Sequence, residues 1–409
     1  MPIIESLLDT DFYKFTMGQI AYLRYPQVTV KYAFQNRTKR IGIGAIIEEE
    51  ELRRELDHAR TLRLSEAELH RLFRVEVAGK RVFQEEFIGF LRQLRLPPYY
   101  LERKGDTYGM EFPGRWCEAV YWETIALSIV NELYCKTTLR NCTPDERGGV
   151  HAEGRARLAE KIDTLKASPD VTFADFGSRR RFSGEWQRFV VLEMARELPA
   201  QFLGTSNTQI ALENGLSPIG TLAHEMFMVL SGVMQGSDDE VRASHNRILR
   251  DWWEQYGWGL SVALTDTYGS DFFFRDMSAE QARLWKGLRH DSGDPIAFGE
   301  QAIAFYGRHG IDPEEKLLVF SDGLDPDAMV SIADHFRGRI KVSFGWGTNL
   351  TNDLGLDAIS IVVKIDEANG NRTVKLSDNL AKATGRPEDI ERFKLIFGYE
   401  RTTYEEVRY

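Results

Sequence analysis

Six short apolar runs, each closing on a polar residue or a glycine, constrain this chain more than any other feature. In order they are VTFADFG, SPIGTLAHE, LSVALTD, KGLRHDSGD, KLLVFSDG and IKVSFGWGT, and longer amphipathic stretches separate them. Most are apolar on both faces, as parallel strands covered on each side by helices should be. Their closing residues lie roughly 25 to 50 residues apart, a spacing that suits βα units. Polar residues at the carboxyl ends of successive parallel strands share one mouth in an α/β barrel. A doubly wound open sheet is the competing architecture, and it would gather its polar residues at a single switch point. The expected fold is therefore α/β: an irregular α/β barrel over residues 136–359, with a second α+β domain.

That second domain is expected over residues 1–135, completed by 360–409. Val28, Val30, Tyr32 and Phe34 alternate with Thr29, Lys31, Ala33 and Gln35, the period of a half-buried antiparallel strand. Stretches 5–24, 48–73, 81–96 and 116–134 read as helices, with Ser65-Glu66-Ala67-Glu68 as a capping box. Residues 99–112 read as a hairpin around Lys104-Gly105-Asp106, and SIVVKI, RTVKLSD and the tail from Pro387 to Tyr409 as mixed strands and turns. No catalytic signature stands out in the opening third.

A chain of 409 residues has room for two domains. Its net charge of −10 argues against nonspecific binding to nucleic acid or to anionic membranes, both of which need a basic surface. Cys117, Cys135 and Cys142 are too irregularly spaced for a disulfide framework or a zinc site, and fit reduced packing residues of a cytosolic protein. The start, MPIIESLLDTDFYKF, carries acids and lacks a basic n-region, so no signal peptide is expected. No run approaches the ~20 apolar residues that span a bilayer.

The chemistry concentrates at the run ends. GTSNTQIALENGLSPIGTLAHEMF reads as a short helix capped by Thr205, Ser206 and Asn207 and stopped at Asn214-Gly215, then an apolar strand that delivers His224. A histidine placed there suits an anionic substrate; a satisfied core histidine is the bland alternative. Phe176-Gly177-Ser178-Arg179-Arg180-Arg181 combines close backbone approach with forked donors for phosphate oxygens. Arg289-His290-Asp291-Ser292-Gly293-Asp294 offers arginine to phosphate and carboxylate to ribose hydroxyls. Asp322-Gly323, with Gly345 and Gly347, forms glycine loops able to cradle phosphate through backbone N–H groups. The P-loop, the dinucleotide GxGxxG, HExxH and CxxC are all missing. His224 has two candidate roles, general acid/base or nucleophile toward ATP, with Asp266 as the natural orienting carboxylate. Glu225 is expected to point to the opposite side if the strand continues.

YKFTMGQ, DFGSRR, GTSNT, LAHE, RHDSGDP, FSDG and SFGWGTNLTND, in that order, resemble the nicotinate phosphoribosyltransferase family, a type II phosphoribosyltransferase group. The resemblance implies an irregular barrel, a homodimer with shared active sites, and transfer of phosphoribose from 5-phosphoribosyl 1-diphosphate (PRPP) to nicotinate. It also implies coupling to ATP through a phosphohistidine, with Mg²⁺ on the diphosphate. Carried onto this chain, His224 matches the phosphorylated residue and Asp266 its orienting acid. Arg179 and Phe176 match residues beside the pyridine ring, where Tyr13 is expected to arrive from the neighbouring subunit. Arg289 and Asp291 match PRPP and ribose contacts, and Asp322, Gly345 and Gly347 the phosphoribosyl pocket. Nicotinamide-using relatives carry aspartate where this chain has Gly204-Thr205-Ser206, and its loss implies preference for a carboxylate ring. A nicotinamide phosphoribosyltransferase, a quinolinate phosphoribosyltransferase and a non-catalytic phosphoribosyl-ligand sensor are the alternatives.

Overall fold

Val262–Leu264 shows why the middle of the chain becomes a parallel sheet: three apolar residues, all buried, leave no face for solvent. The computed structural model describes residues 1–401 and Tyr404. Its strands are β1 (Thr29–Asn36), β2 (Glu76–Val77), β3 (Lys80–Arg81), β4 (Tyr100–Lys104), β5 (Thr107–Arg115), β6 (Phe173–Asp175) and β7 (Phe202–Thr205). They continue as β8 (Val262–Leu264), β9 (Gly287–His290), β10 (Leu317–Phe320), β11 (Lys341–Trp346), β12 (Ile361–Ala368) and β13 (Asn371–Arg372). The parallel sheet runs β7-β6-β11-β10-β9-β8, every neighbouring pair parallel. Helices such as Gly184–Glu197, Pro295–Arg308 and Pro326–Phe336 alternate with its strands. This is an irregular α/β barrel beside an antiparallel sheet ordered β13-β12-β1-β5-β4.

The antiparallel sheet joins the two ends of the chain. β1 pairs with β5 on one edge and with the distant β12 on the other, from Val30↔Ala368 to Asn36↔Ile361. Alternation along β1 is as its sequence requires, with Val30, Tyr32 and Phe34 buried. Lys364 and Arg37 are carried by this sheet to the mouth of the barrel.

Three local readings are corrected. SPIGTLAHE forms no strand; residues 217–221 run extended between β7 and β8, which do not pair. Thr205 N donates to Ser217 O (3.2 Å), Ile219 N to Thr205 O (2.9 Å) and Thr221 Oγ1 to Val262 O (3.1 Å). Pro218 lacks a donor, so the segment closes the barrel without a ladder. The strand that does stand there is β7, whose FLGT mixes an exposed Leu203 with Gly204. Second, His224 opens the helix His224–Val233 rather than ending a strand. Third, Pro387–Phe397 is a helix, with proline in its first turn and Gly398 left-handed after it. Residues 402, 403 and 405–409 of that tail lie outside the described residues. The expected helix over 5–24 begins at Phe12 and that over 81–96 spans Glu85–Gln93. The capping box at Ser65 forms, and a second one stands at Ser278.

Gly204 makes the closing segment possible. Its φ is +138°, and a Cβ there would lie 2.1 Å from Ser217 O. Gly204→Ala is therefore expected to cost about 3 kcal/mol or more through strain and overpacking, read as a lowered midpoint in chemical denaturation.

Candidate active site

Asp175, at the end of β6, organises one wall. Its carboxylate accepts from Gly177 N (2.7 Å), Thr205 Oγ1 (2.6 Å) and Gln187 Nε2 (2.8 Å), and burial pushes its pKa up to about 6. Held in this way, the turn Ser178–Arg180 presents Phe176 and Arg179 to a cleft of about 370 Å³. Tyr13 lines the same cleft, with the Arg179 guanidinium 5.7 Å from its ring centroid. Both belong to one chain, so Tyr13 reaches this wall without a neighbouring subunit.

His224 stands at the floor. Burial, reinforced by the charge of Lys375, pushes its pKa down to about 4, so the imidazole is neutral at pH 7. Its Nε2 lies 3.0 Å from Asp291 Oδ2, and its Nδ1 lies 2.9 Å from Thr267 Oγ1. A carboxylate only accepts, so Nε2 carries the proton and Nδ1 accepts from Thr267. Burial works against ionisation of Asp291, but its hydrogen bond to His224 and the charges of Arg289 and Lys375 hold it well below the usual carboxylate range. Asp266 is thus not the primary partner of the histidine: its Oδ1 is 3.7 Å from Nε2. Its Oδ2 is occupied by Ser292 Oγ (2.5 Å) and Ser377 Oγ (3.2 Å). Asp266 sits one residue too early on its loop, and Thr267 takes the near nitrogen.

The far wall collects anion-binding groups. Arg289, Gly345 and Gly347 line it, as does Asp322, whose Oδ1 accepts from Lys382 Nζ at 2.5 Å. Arg289 Nε is buried without a protein partner, a donor left available for an anion. A Cβ on Gly345 would meet the Phe176 ring and Ser321 Cβ at 3.3 Å, so glycine there keeps the cleft wide. Arg37, Lys364 and Lys375 add cationic charge from the antiparallel sheet and the segment after it. Burial and neighbouring cations push Lys364 down to about 8.

The chain matches the nicotinate phosphoribosyltransferase (NAPRTase) family over residues 171–401, more than half its length, and the N-terminal domain of that family over 8–131. This chain belongs to the nicotinate phosphoribosyltransferase family. The crystal structure of nicotinate phosphoribosyltransferase from Vibrio cholerae is similar, at 34% identity and a TM-score of 0.87. That match covers 98% of this chain and 94% of the other. The enzyme of that name from Porphyromonas gingivalis is similar at 31% identity and a TM-score of 0.84, covering 97% and 100%.

In this member of the nicotinate phosphoribosyltransferase family, two residues expected in the pocket lie behind its wall. Thr205 and Ser206 are fully buried and do not face the cleft. Ser206 Oγ donates to Asp11 Oδ1 (2.6 Å), and Asp11 Oδ2 lies 3.4 Å from Arg179 Nε. Ser206 therefore bears on the ring pocket only through Asp11 and Arg179. Glu225, expected to point away, lines the cleft, and it is joined there by Lys14's partner Glu123 and by Lys364 and Lys375, none of which had been assigned to the site. Their signal was a charge inside an otherwise apolar window, as in FYKFTM, WETIAL and IVVKI.

Proposed function

We propose that this chain joins nicotinate to PRPP, giving nicotinate mononucleotide and diphosphate, and couples the transfer to ATP hydrolysis through a phosphohistidine at His224. The observation that carries this reading is one cleft holding an aromatic–guanidinium clamp, a neutral hydrogen-bonded imidazole and a cationic, glycine-lined wall. Its membership of the family and the names of the two solved relatives support it.

In this reading Tyr13 and Phe176 flank the pyridine ring and Arg179 holds its carboxylate. Arg289, Gly345 and Gly347 hold the phosphoribose, with Asp291 facing its hydroxyls, and the lysines on the far wall face diphosphate. The ring nitrogen attacks the anomeric carbon as diphosphate leaves. The chain contributes by positioning the two partners and stabilising developing charge, and no side-chain nucleophile enters that step. The ATP step is separate, and a phosphoryl group on His224 would sit at a helix N-terminus, where anions are stabilised. Mg²⁺, when bound, supplies charge neutralisation on the diphosphate. The ligand atoms of His224, Asp266 and Asp291 lie within 4.8 Å of one another, and the two carboxylates are hard donors that suit Mg²⁺.

Competing nicotinate against nicotinamide in one assay tests the substrate. A preference for nicotinate of about a hundredfold in kcat/KM is expected, in line with the few kcal/mol that a buried charge contact commands. Equal use of both would contradict the reading.

The cationic wall gives a pH prediction. Lys364 is charged below about 8 and neutral above it, so affinity for an anionic substrate falls as pH rises through that value. kcat/KM for PRPP is expected to show a basic limb near pH 8 that Lys364→Met removes.

A further inference from the structure

Two residues that line the cleft each stand one step along the chain from a buried charge. Tyr13 precedes Lys14, and His224 precedes Glu225. Lys14 Nζ lies 2.5 Å from Glu225 Oε2 and 2.6 Å from Glu123 Oε2, its side chain wholly buried. The second oxygen of Glu225 accepts from Tyr32 Oη and Trp116 Nε1, both at 2.7 Å. Glu123 Oε1 meets Arg179 Nη1 at 3.4 Å and Lys364 Nζ at 3.5 Å, two long contacts beside one short one. A continuous line of charges, Arg179–Glu123–Lys14–Glu225, thus runs from the ring end to the helix start that carries His224.

Stability alone is a weak reason for such a line, because apolar residues of the same volume often hold a fold as well as a buried ion pair does. Glu225 also faces three groups from elements outside its own helix, Lys14, Tyr32 and Trp116, and Lys14 in turn holds Glu123. It fixes the position of that helix start against the N-terminal part of the chain.

We infer that Lys14 and Glu225 form a positioning pair that couples occupancy of the Arg179 end to the geometry of His224, an inference that rests on the function proposed above. A carboxylate arriving at Arg179 takes its donors, and Glu123 then turns more fully to Lys14 and Lys364. Lys14 divides its charge between Glu123 and Glu225, so the hold on Glu225, and with it the start of the His224 helix, changes. Linkage makes the effect reciprocal: whatever factor ATP imposes on nicotinate affinity, nicotinate imposes on ATP affinity.

The test is calorimetric titration of nicotinate with and without the nonhydrolysable analogue β,γ-imido-ATP, in the intact protein. In the wild type the two dissociation constants should differ by about fivefold or more, the usual size of such coupling. Glu225→Gln keeps the Tyr32 and Trp116 contacts, and Lys14→Met/Glu225→Gln removes both charges so that neither is left unpaired. In both variants the ratio should collapse to within about twofold of one. A merely structural role would shift both constants together and leave the ratio unchanged. The inference is overturned if either folded variant retains the wild-type ratio, or if the wild-type ratio is itself one. Phosphoryl labelling of His224 and product analysis read the underlying function separately, so the two failures are distinguishable.

Discussion

His224→Ala is expected to abolish stimulation by ATP while leaving a slow transfer from PRPP to nicotinate. In the proposed reading the transfer itself needs positioning and charge stabilisation, a part given to Arg179, Arg289 and the glycine loops of the same cleft and not to the imidazole. In the proposed reading the ATP step needs a ring nitrogen with a lone pair, which is Nδ1 once it exchanges its hydrogen bond from Thr267 for the phosphoryl group. Burial keeps that lone pair free of a proton, because the imidazole stays neutral down to about pH 4 and a protonated ring could not accept a phosphoryl group. Initial rates with and without ATP should therefore differ widely in the wild type and agree within about twofold in the variant, a gap worth less than roughly 0.5 kcal/mol. Equal stimulation in both proteins would remove His224 from the coupling.

Arg179→Leu should be the most damaging change at the ring end. The guanidinium there balances Asp11 at 3.4 Å and Glu123 at 3.4 Å. In the proposed reading, removing it withdraws the partner of the substrate carboxylate and leaves two carboxylates to repel that group. Truncating one side of a buried charge contact costs about 2–5 kcal/mol, so KM for nicotinate should rise by about a hundredfold or more. Nicotinamide carries no carboxylate and should lose much less. Steady-state kinetics with both pyridines reads the difference, and an equal loss for the two would show that Arg179 holds the ring rather than its charge.

The sequence exposed the barrel because five of its six strands are short, largely buried runs that end in or are followed by a polar residue or a glycine. β7 escaped because its four residues mix an exposed Leu203 with Gly204, which resembles a loop. The run before His224 looked like a strand because its side chains are apolar, yet its bonds are set by Pro218 and by contacts with Thr205 and Val262 that no local pattern reveals. His224 starts a helix whose preceding residue, Ala223, offers no capping side chain, so nothing local marked that boundary. The Arg179 and Asp291 clusters were legible from residue type alone. The partnership of His224 with Asp291 and Thr267 was not, since it depends on which loop atom arrives nearest. The far-wall cations were hidden for another reason: β12 crosses back to β1 from the opposite end of the chain.

The protein is incubated with γ-labelled ATP, quenched in base and digested, and the label is located by mass spectrometry. The account predicts an acid-labile, base-stable phosphoryl group on His224. A label absent from His224, or found instead on His290, while ATP still stimulates transfer, would contradict it.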